Sequence, residues 1–183
     1  MGSLASDVKN MLSGVVTGTG DLVGTTRDTA KKTVIKTLQG TSNVAAAGLA
    51  TVSDVVDGGI QAVTAAGVSV SDGVVGLVAG AVEGAKSVGI STTEAVAQAA
   101  SVAVKSTAQV GGDVGHAAVG AVMGAIKVAG DVGSDSGELA KQAVMGVLKA
   151  ADALGSQAGG TVRKALLSTA SLPHDIIDAL LGK

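Results

Sequence analysis

The sequence predicts an all-α fold of about eight amphipathic helices, each roughly 18–20 residues long, joined by tight glycine turns. Three observations support this fold. Charged or titratable residues recur every eleven positions, apolar residues keep fixed places within each eleven, and glycines recur every twenty-two positions. We expect one domain over residues 1–183, built as an antiparallel helical bundle or a stacked repeat array, with the repeat clearest over 69–154.

The eleven-residue period defines one face of each helix. Its charged column comprises Asp72, Glu83, Glu94, Lys105, His116, Lys127, Glu138 and Lys149. Eleven residues make three helical turns, so the apolar places of each eleven fall within one arc of roughly 130°. We expect this apolar arc to face a lipid surface or a partner. Its members include Val74, Leu77, Val78, Val82, Val96, Val122, Ile126, Val144, Val147 and Leu148.

The glycines that recur every twenty-two positions predict the turns between helices. Glycine adopts positive φ at little cost and ends a helix, and a Ser or Asp two residues later can cap the next helix. The predicted turn and hinge glycines are Gly67, Gly89, Gly111, Gly133 and Gly155. The residues two positions after them are Ser69, Ser91, Asp113, Asp135 and Gln157. A continuous helix interrupted by glycine is the alternative, because a lipid surface could straighten the turns.

The repeat is less regular before residue 69. Residues 3–39 keep an apolar face, and the small polar residues 40–43 predict a loop. Four cations lie there at helical spacing, where they would be solvated or would contact acidic lipid headgroups: Arg27, Lys31, Lys32 and Lys36. The first six residues match the pattern for N-myristoylation at Gly2, and a helix N-cap at Ser3 is the alternative interpretation.

The C-terminal segment differs in character from the repeat. A helix is expected over 157–170, and Pro173 predicts the first turn of a short apolar helix over 173–182. The apolar stripe of this short helix comprises Ile176, Ile177, Leu180 and Leu181. It predicts either a lid that closes the apolar stack or a helix that docks on a partner.

The composition argues against several classes of function. The chain is 46% hydrophobic, has no aromatic residue and no cysteine, contains 28 glycines and carries a net charge of −2. Without a basic stripe or aromatic rings, nucleic acid is not an expected partner. Without cysteine, paired catalytic carboxylates or a second histidine near His116, we expect no enzyme activity, no metal, no cofactor and no small-molecule substrate.

The cellular location is inferred from two sequence signals that are not found. No window reaches about 18 consecutive apolar residues, so no transmembrane helix is expected. The opening residues lack the basic and apolar regions of a secretory signal. We therefore expect an intracellular protein, either free or peripheral to a membrane or a lipid droplet.

Residues 72–86, with valine and small residues on the apolar face, resemble the eleven-residue repeats of perilipins and synucleins. The twenty-two-residue doubling is similar in period to exchangeable apolipoproteins. The resemblance spans nearly the whole chain as a pattern, and it implies amphipathic helices that coat lipid droplets or membranes. The lysine-rich polar face of synucleins and the proline punctuation of apolipoproteins are missing here. Late-embryogenesis-abundant proteins also repeat at eleven but are much more hydrophilic.

Two functions follow from these patterns. The first is a non-enzymatic amphipathic coat that binds a membrane or lipid droplet, favoured by the low charge of the polar face. The second is a self-assembling structural or protective helical bundle that does not bind lipid, favoured by the repeated helix caps. Ice binding is a minor third option, because the threonines hold no common register.

Overall fold

The computed structural model describes residues 4–17 and 20–182, and 84% of the chain is helical with no strand in that part. The all-α prediction is therefore confirmed. The elements are α1 Leu4–Val16, α2 Leu22–Gln39, α3 Val44–Ala65, α4 Val70–Ser87, α5 Thr92–Gln109, α6 Val114–Val132, α7 Ser136–Leu154, α8 Ser156–Ser168 and α9 His174–Leu181.

The joints from α3 to α7 combine a left-handed glycine with a side-chain cap. The glycines have φ of 69°, 88°, 74° and 66° at Gly67, Gly89, Gly111 and Gly133. The cap side chains accept a hydrogen bond from the amide three residues later, at Ser69, Ser91, Asp113 and Asp135. Each cap satisfies an amide that the first turn of a helix leaves without a partner, so the chain can stop and restart within about four residues.

The joint between α7 and α8 departs from this pattern. Gly155 has φ 127° and ψ 171°, and it is both the last cap of α7 and the first cap of α8. Because α8 starts at once, Gln157 lies inside its first turn and cannot cap it. The helix expected over 157–170 spans Ser156–Ser168, and Pro173 is the N-cap of α9 rather than a residue of its first turn.

The helices pack in two layers. We call α2, α4, α6 and α8 the even layer and α1, α3, α5, α7 and α9 the odd layer. From α2 to α8, consecutive helices cross between the layers through short connections and run antiparallel, while every second helix is a neighbour within its own layer. Between α2 and α4 this neighbour contact is the most extensive of the fold. Stacking in this way buries one continuous core along the chain.

Glycines bring neighbouring helices of one layer into backbone contact. A Cβ at Gly80 of α4 would overlap the carbonyl oxygen of Arg27 in α2, and one at Gly84 would lie 2.9 Å from the carbonyl oxygen of Lys31. Because residue number rises in the same direction along both helices, α2 and α4 run parallel. Other glycines whose Cβ would meet a neighbouring backbone in the same way are Gly58, Gly76, Gly120, Gly124 and Gly146.

Helix α4 is buried on more than the single arc that the sequence predicts. Twelve of its 18 residues are buried, including Val75 and Ala79, which lie outside the arc. The reason is its position in the even layer, where α2 and α6 cover its sides and α3 and α5 cover its inner face. The glycines every four residues make this lateral burial achievable, because they remove the side chains that would hold the helices apart.

Candidate functional site

The apolar arc that the sequence assigned to lipid or a partner lies against the chain's own helices. Two of its ten members, Ile126 and Leu148, are half-buried. The others have no exposed surface: Val74, Leu77, Val78, Val82, Val96, Val122, Val144 and Val147. In this conformation the arc forms the core of the stack rather than a binding surface.

The five turn glycines lie between helices at the edges of the stack, where they have open space. A Cβ added at any of them would meet no atom within 4 Å. Their requirement for glycine is therefore conformational, because positive φ is strained for residues with a side chain. From α3 to α8, each connection between the two layers contains one of these glycines, which matches a hinge geometry as well as a rigid turn.

A cluster of charged side chains joins three helices of the even layer. The Arg27 cluster comprises Arg27 and Lys31 of α2, Glu83 of α4 and Asp131 of α6. Arg27 donates to Glu83 through Nε at 3.0 Å and Nη2 at 2.9 Å, and Nη2 also contacts Asp131. Lys31 Nζ lies 2.6 Å from Glu83 Oε1. Glu83 and Arg27 are about one-fifth exposed, so this pairing is only partly screened by water.

The pairing decides how Glu83 titrates. Burial would raise the pKa of Glu83, but hydrogen bonds from Lys31 and Arg27, together with their charges, hold this pKa below its ordinary value of 4.5. The sequence placed Arg27 and Lys31 on a solvated or lipid-facing surface and missed their partners. The sequence signalled only that Glu83 belongs to the charged column. It could not show that Arg27 and Asp131 pair, because they are 104 residues apart.

The outer face of the odd layer carries a groove of about 750 Å³, which we call the α5 groove. Its floor is made by the small residues Ala97 and Ser101 of α5. Its apolar walls comprise Leu49 of α3, Met145 and Leu148 of α7, and Leu180 and Leu181 of α9. Its charged side chains are Glu94, Lys105, Lys149, Asp152 and Arg163. A volume of this size is typical of small-molecule sites in proteins.

Two lysines of the α5 groove occupy the same place in the charged column, two twenty-two-residue repeats apart. Lys105 and Lys149 are 44 residues apart, so they lie on matching faces of α5 and α7. This spacing could have been read from the sequence, but the small floor and the contribution of α9 could not. The short helix α9 buries Ile177 against the stack and directs Leu180 and Leu181 to the groove.

His116 lies at the start of α6, beside its cap. Its Nδ1 is 2.8 Å from Asp113 Oδ2, and both side chains are more than half exposed. Hydrogen bonds from the backbone amide of His116 lower the pKa of Asp113 in spite of its partial burial, and the imidazole of His116 adds to this. Within 4–17 and 20–182, no three His, Asp or Glu side chains group as metal ligands.

Two further features concern membranes. Among the helices that the structure describes, none combines the length and apolarity of a membrane-spanning segment. The predicted acylation residue Gly2 and the alternative cap Ser3 lie outside the described residues.

Comparisons with protein-family models, with curated proteins and with solved structures find no match to this chain. Its function is therefore inferred from its own residues and their geometry.

Proposed function

We propose that this chain is a non-enzymatic structural protein that works as a closed, two-layer helical scaffold in water. The observation that carries the proposal is that eight of the ten residues of the apolar arc have no exposed surface inside the stack. A protein that used this arc to coat lipid would have to open its core first. The capped joints from α3 to α7 support the closed state, because the helices there start and stop without help from a surface.

The energetics of opening favour the scaffold over the coat. Burying a Val or Leu side chain is worth about 1.5–3 kcal/mol, and the stack buries dozens of small apolar residues. An interfacial helix usually regains such energy by inserting Trp, Phe or Leu, and this chain has no aromatic residue. A helix-interior glycine costs about 1 kcal/mol relative to alanine. This cost is offset where the glycine lets two helices approach closely, and the closed stack contains such contacts, as at Gly80.

The test is circular dichroism with vesicle flotation on the full chain. A scaffold is expected to be helical and to unfold cooperatively without lipid, and to stay in the vesicle-free fraction with neutral and with anionic vesicles. Helix that forms only when vesicles or an oil emulsion are added, together with flotation, would overturn the scaffold and support the coat.

A lipid-surface coat on a membrane or droplet is the second candidate. It is favoured by exposed apolar side chains on α1, where Met11 is 50% and Val15 is 43% exposed. The joints at single left-handed glycines, which could act as hinges, also favour it. In this alternative the closed stack is the storage form, and α1 makes the first contact with lipid.

The Arg27 cluster distinguishes these two candidates. Glu83→Gln removes the negative charge and one of the two acceptor oxygens that tie α2 to α4, and therefore weakens the closed state. If the coat is the function, this variant should float with vesicles more readily than the parent chain. Glu138→Gln is the matched control, because Glu138 is an exposed carboxylate of the same charged column without an ion pair among the described residues. For a scaffold, neither variant should float.

A further inference from the structure

The charges of the α5 groove are separated along its length. Glu94 lies in the first turn of α5 and Lys105 lies in its C-terminal half, eleven residues or about 16 Å further along the helix. Lys105 shares its end of the groove with Lys149, Asp152 and Arg163, since α5 and α7 run parallel. The groove therefore has one acidic end and one end where cations predominate.

Two of the three cations at that end have no carboxylate partner among the described residues. Arg163 is paired with Asp152 at 2.9 Å, which neutralises both. No ion pair of Lys105 or Lys149 is found within 4–17 and 20–182, and both side chains are exposed toward the groove. An anion that enters this end would meet two ammonium groups and would be repelled from the other end by Glu94.

Between the two ends the groove combines apolar side chains with the polar, uncharged Gln98, Ser101 and Gln142. Leu49 and Met145 line its sides, and Ala97 and Ser101 form its floor. Helices within a layer pack about 8–10 Å apart, so the axes of α3 and α7 are about 16–20 Å apart. Helix α5 occupies the space between them, so the groove is a channel that runs along the outer side of α5. A volume of about 750 Å³ is sufficient for a single hydrocarbon chain.

We propose that the α5 groove binds a long-chain carboxylate, with its carboxylate between Lys105 and Lys149 and its tail along Ala97, Ser101 and Met145. The polarity of the groove fixes this orientation, because Glu94 would repel the carboxylate at the opposite end. The ligand is bound and not transformed, so the site adds a carrier role to the scaffold. The scaffold does not depend on it, since a stack that binds no carboxylate remains a closed stack.

Isothermal titration calorimetry of the full chain with laurate, below its micelle concentration, tests the proposal directly, since the chain has no Trp to report binding. Laurate should bind with saturation, and lauryl alcohol should bind about tenfold more weakly because it lacks the charge. The double variant Lys105→Gln/Lys149→Gln should lose about tenfold in laurate affinity. Lys127→Gln is the matched control: it removes a lysine of the same column from α6, outside the groove, and should change affinity less than about twofold.

A variant of the floor separates groove binding from adsorption by charge. Ser101→Leu fills the small floor and should abolish saturable laurate binding while circular dichroism shows an unchanged helix content. The proposal is overturned if laurate does not bind, if the alcohol binds equally well, or if Ser101→Leu and the double lysine variant bind like the parent. It is also overturned if neutral vesicles without laurate compete for the groove as strongly as laurate itself, because the ligand would then be a membrane surface.

Discussion

At the scale of single residues, the glycines of this chain divide into those that touch a neighbouring helix and those that do not. Gly80→Ala would force α2 and α4 apart, because its Cβ overlaps the backbone carbonyl of Arg27. We expect a loss of about 2–3 kcal/mol in the free energy of unfolding, measured by urea denaturation. Gly130→Ala is the matched control, because a Cβ there meets no atom within 4 Å.

The control variant Gly130→Ala should change stability in the opposite direction. Gly130 lies inside α6, so alanine should stabilise the helix by up to about 1 kcal/mol. Equal effects of Gly80→Ala and Gly130→Ala would mean that the close approach of α2 and α4 does not exist in solution.

The Arg27 cluster makes the stability of the fold depend on pH. Because the folded pKa of Glu83 is lowered, its contribution is complete above the unfolded value near 4.5 and is lost as pH falls through the folded pKa. Glu83→Gln should cost about 1 kcal/mol near pH 7, and the difference from the parent should narrow below about pH 4. Thermal unfolding across this pH range measures it. A difference that is constant with pH would contradict the assigned pairing.

At the scale of elements, the turn between α5 and α6 tests whether the left-handed glycines are required. Gly111 has φ 74° and open space, so Gly111→Ala should cost about 1–2 kcal/mol through backbone strain alone. Gly111→Asn should cost less, because asparagine tolerates the left-handed region. Urea unfolding of the two variants gives the comparison. Alanine that is tolerated as well as asparagine would indicate a helix that continues through the turn.

Helix α3 contains a pair of like charges that acts against the fold. Burial, and then the charge of Asp57, raise the pKa of Asp54. A raised carboxyl pKa means that the ionised group destabilises the folded state near neutral pH, and that this penalty is relieved as pH falls. Asp54→Asn should therefore stabilise the chain near pH 7 by less than about 1 kcal/mol, and not in acid.

The control for Asp54 is its neighbour. Asp57→Asn relieves the same repulsion but also changes the acceptor that Gln61 uses at 3.1 Å, so it should stabilise less. Paired thermal melts at neutral and acidic pH measure both variants. If Asp54→Asn destabilises near pH 7, Asp54 has a favourable partner in solution.

The ends of the helices could be predicted from the sequence more reliably than the packing between them. The twenty-two-residue glycines and the caps at Ser69 and Asp135 located four joints, because turn conformation and capping are local properties. The fifth joint falls at Gly155, but α8 starts directly after it without a separate cap residue, because Gly155 has the different conformation φ 127° and ψ 171°.

Packing between helices depends on register, which an eleven-residue period leaves open. Gly76 lies over the carbonyl of Val23, 53 residues earlier, whereas Gly120 lies over Ser71, 49 residues earlier. Counted from the helix starts, both contacts join the second residue of one helix to the seventh residue of its neighbour, so the packing register repeats and the four-residue difference comes from the longer helix α3. The Arg27 cluster and the α5 groove depend on such registers, so only their individual charged residues could be anticipated.

At the scale of the whole molecule, the closed stack and the lipid coat place the same apolar arc in opposite surroundings. Small side chains give a core with little volume per residue, and the close helix contacts compensate by bringing backbones together. Because each helix contacts only neighbours along the stack, stability should be graded, with the central helices α4 and α6 the most protected and the end helices the least.

Hydrogen exchange of the full chain, followed by mass spectrometry with and without lipid vesicles, tests the buried arc most directly. A closed scaffold requires the amides of α4, from Val74 to Val82, to be among the slowest to exchange in water, and to keep the same rates when vesicles are added. Rapid exchange of α4 in water that slows only on vesicles would show that the arc is free in solution and is covered by lipid.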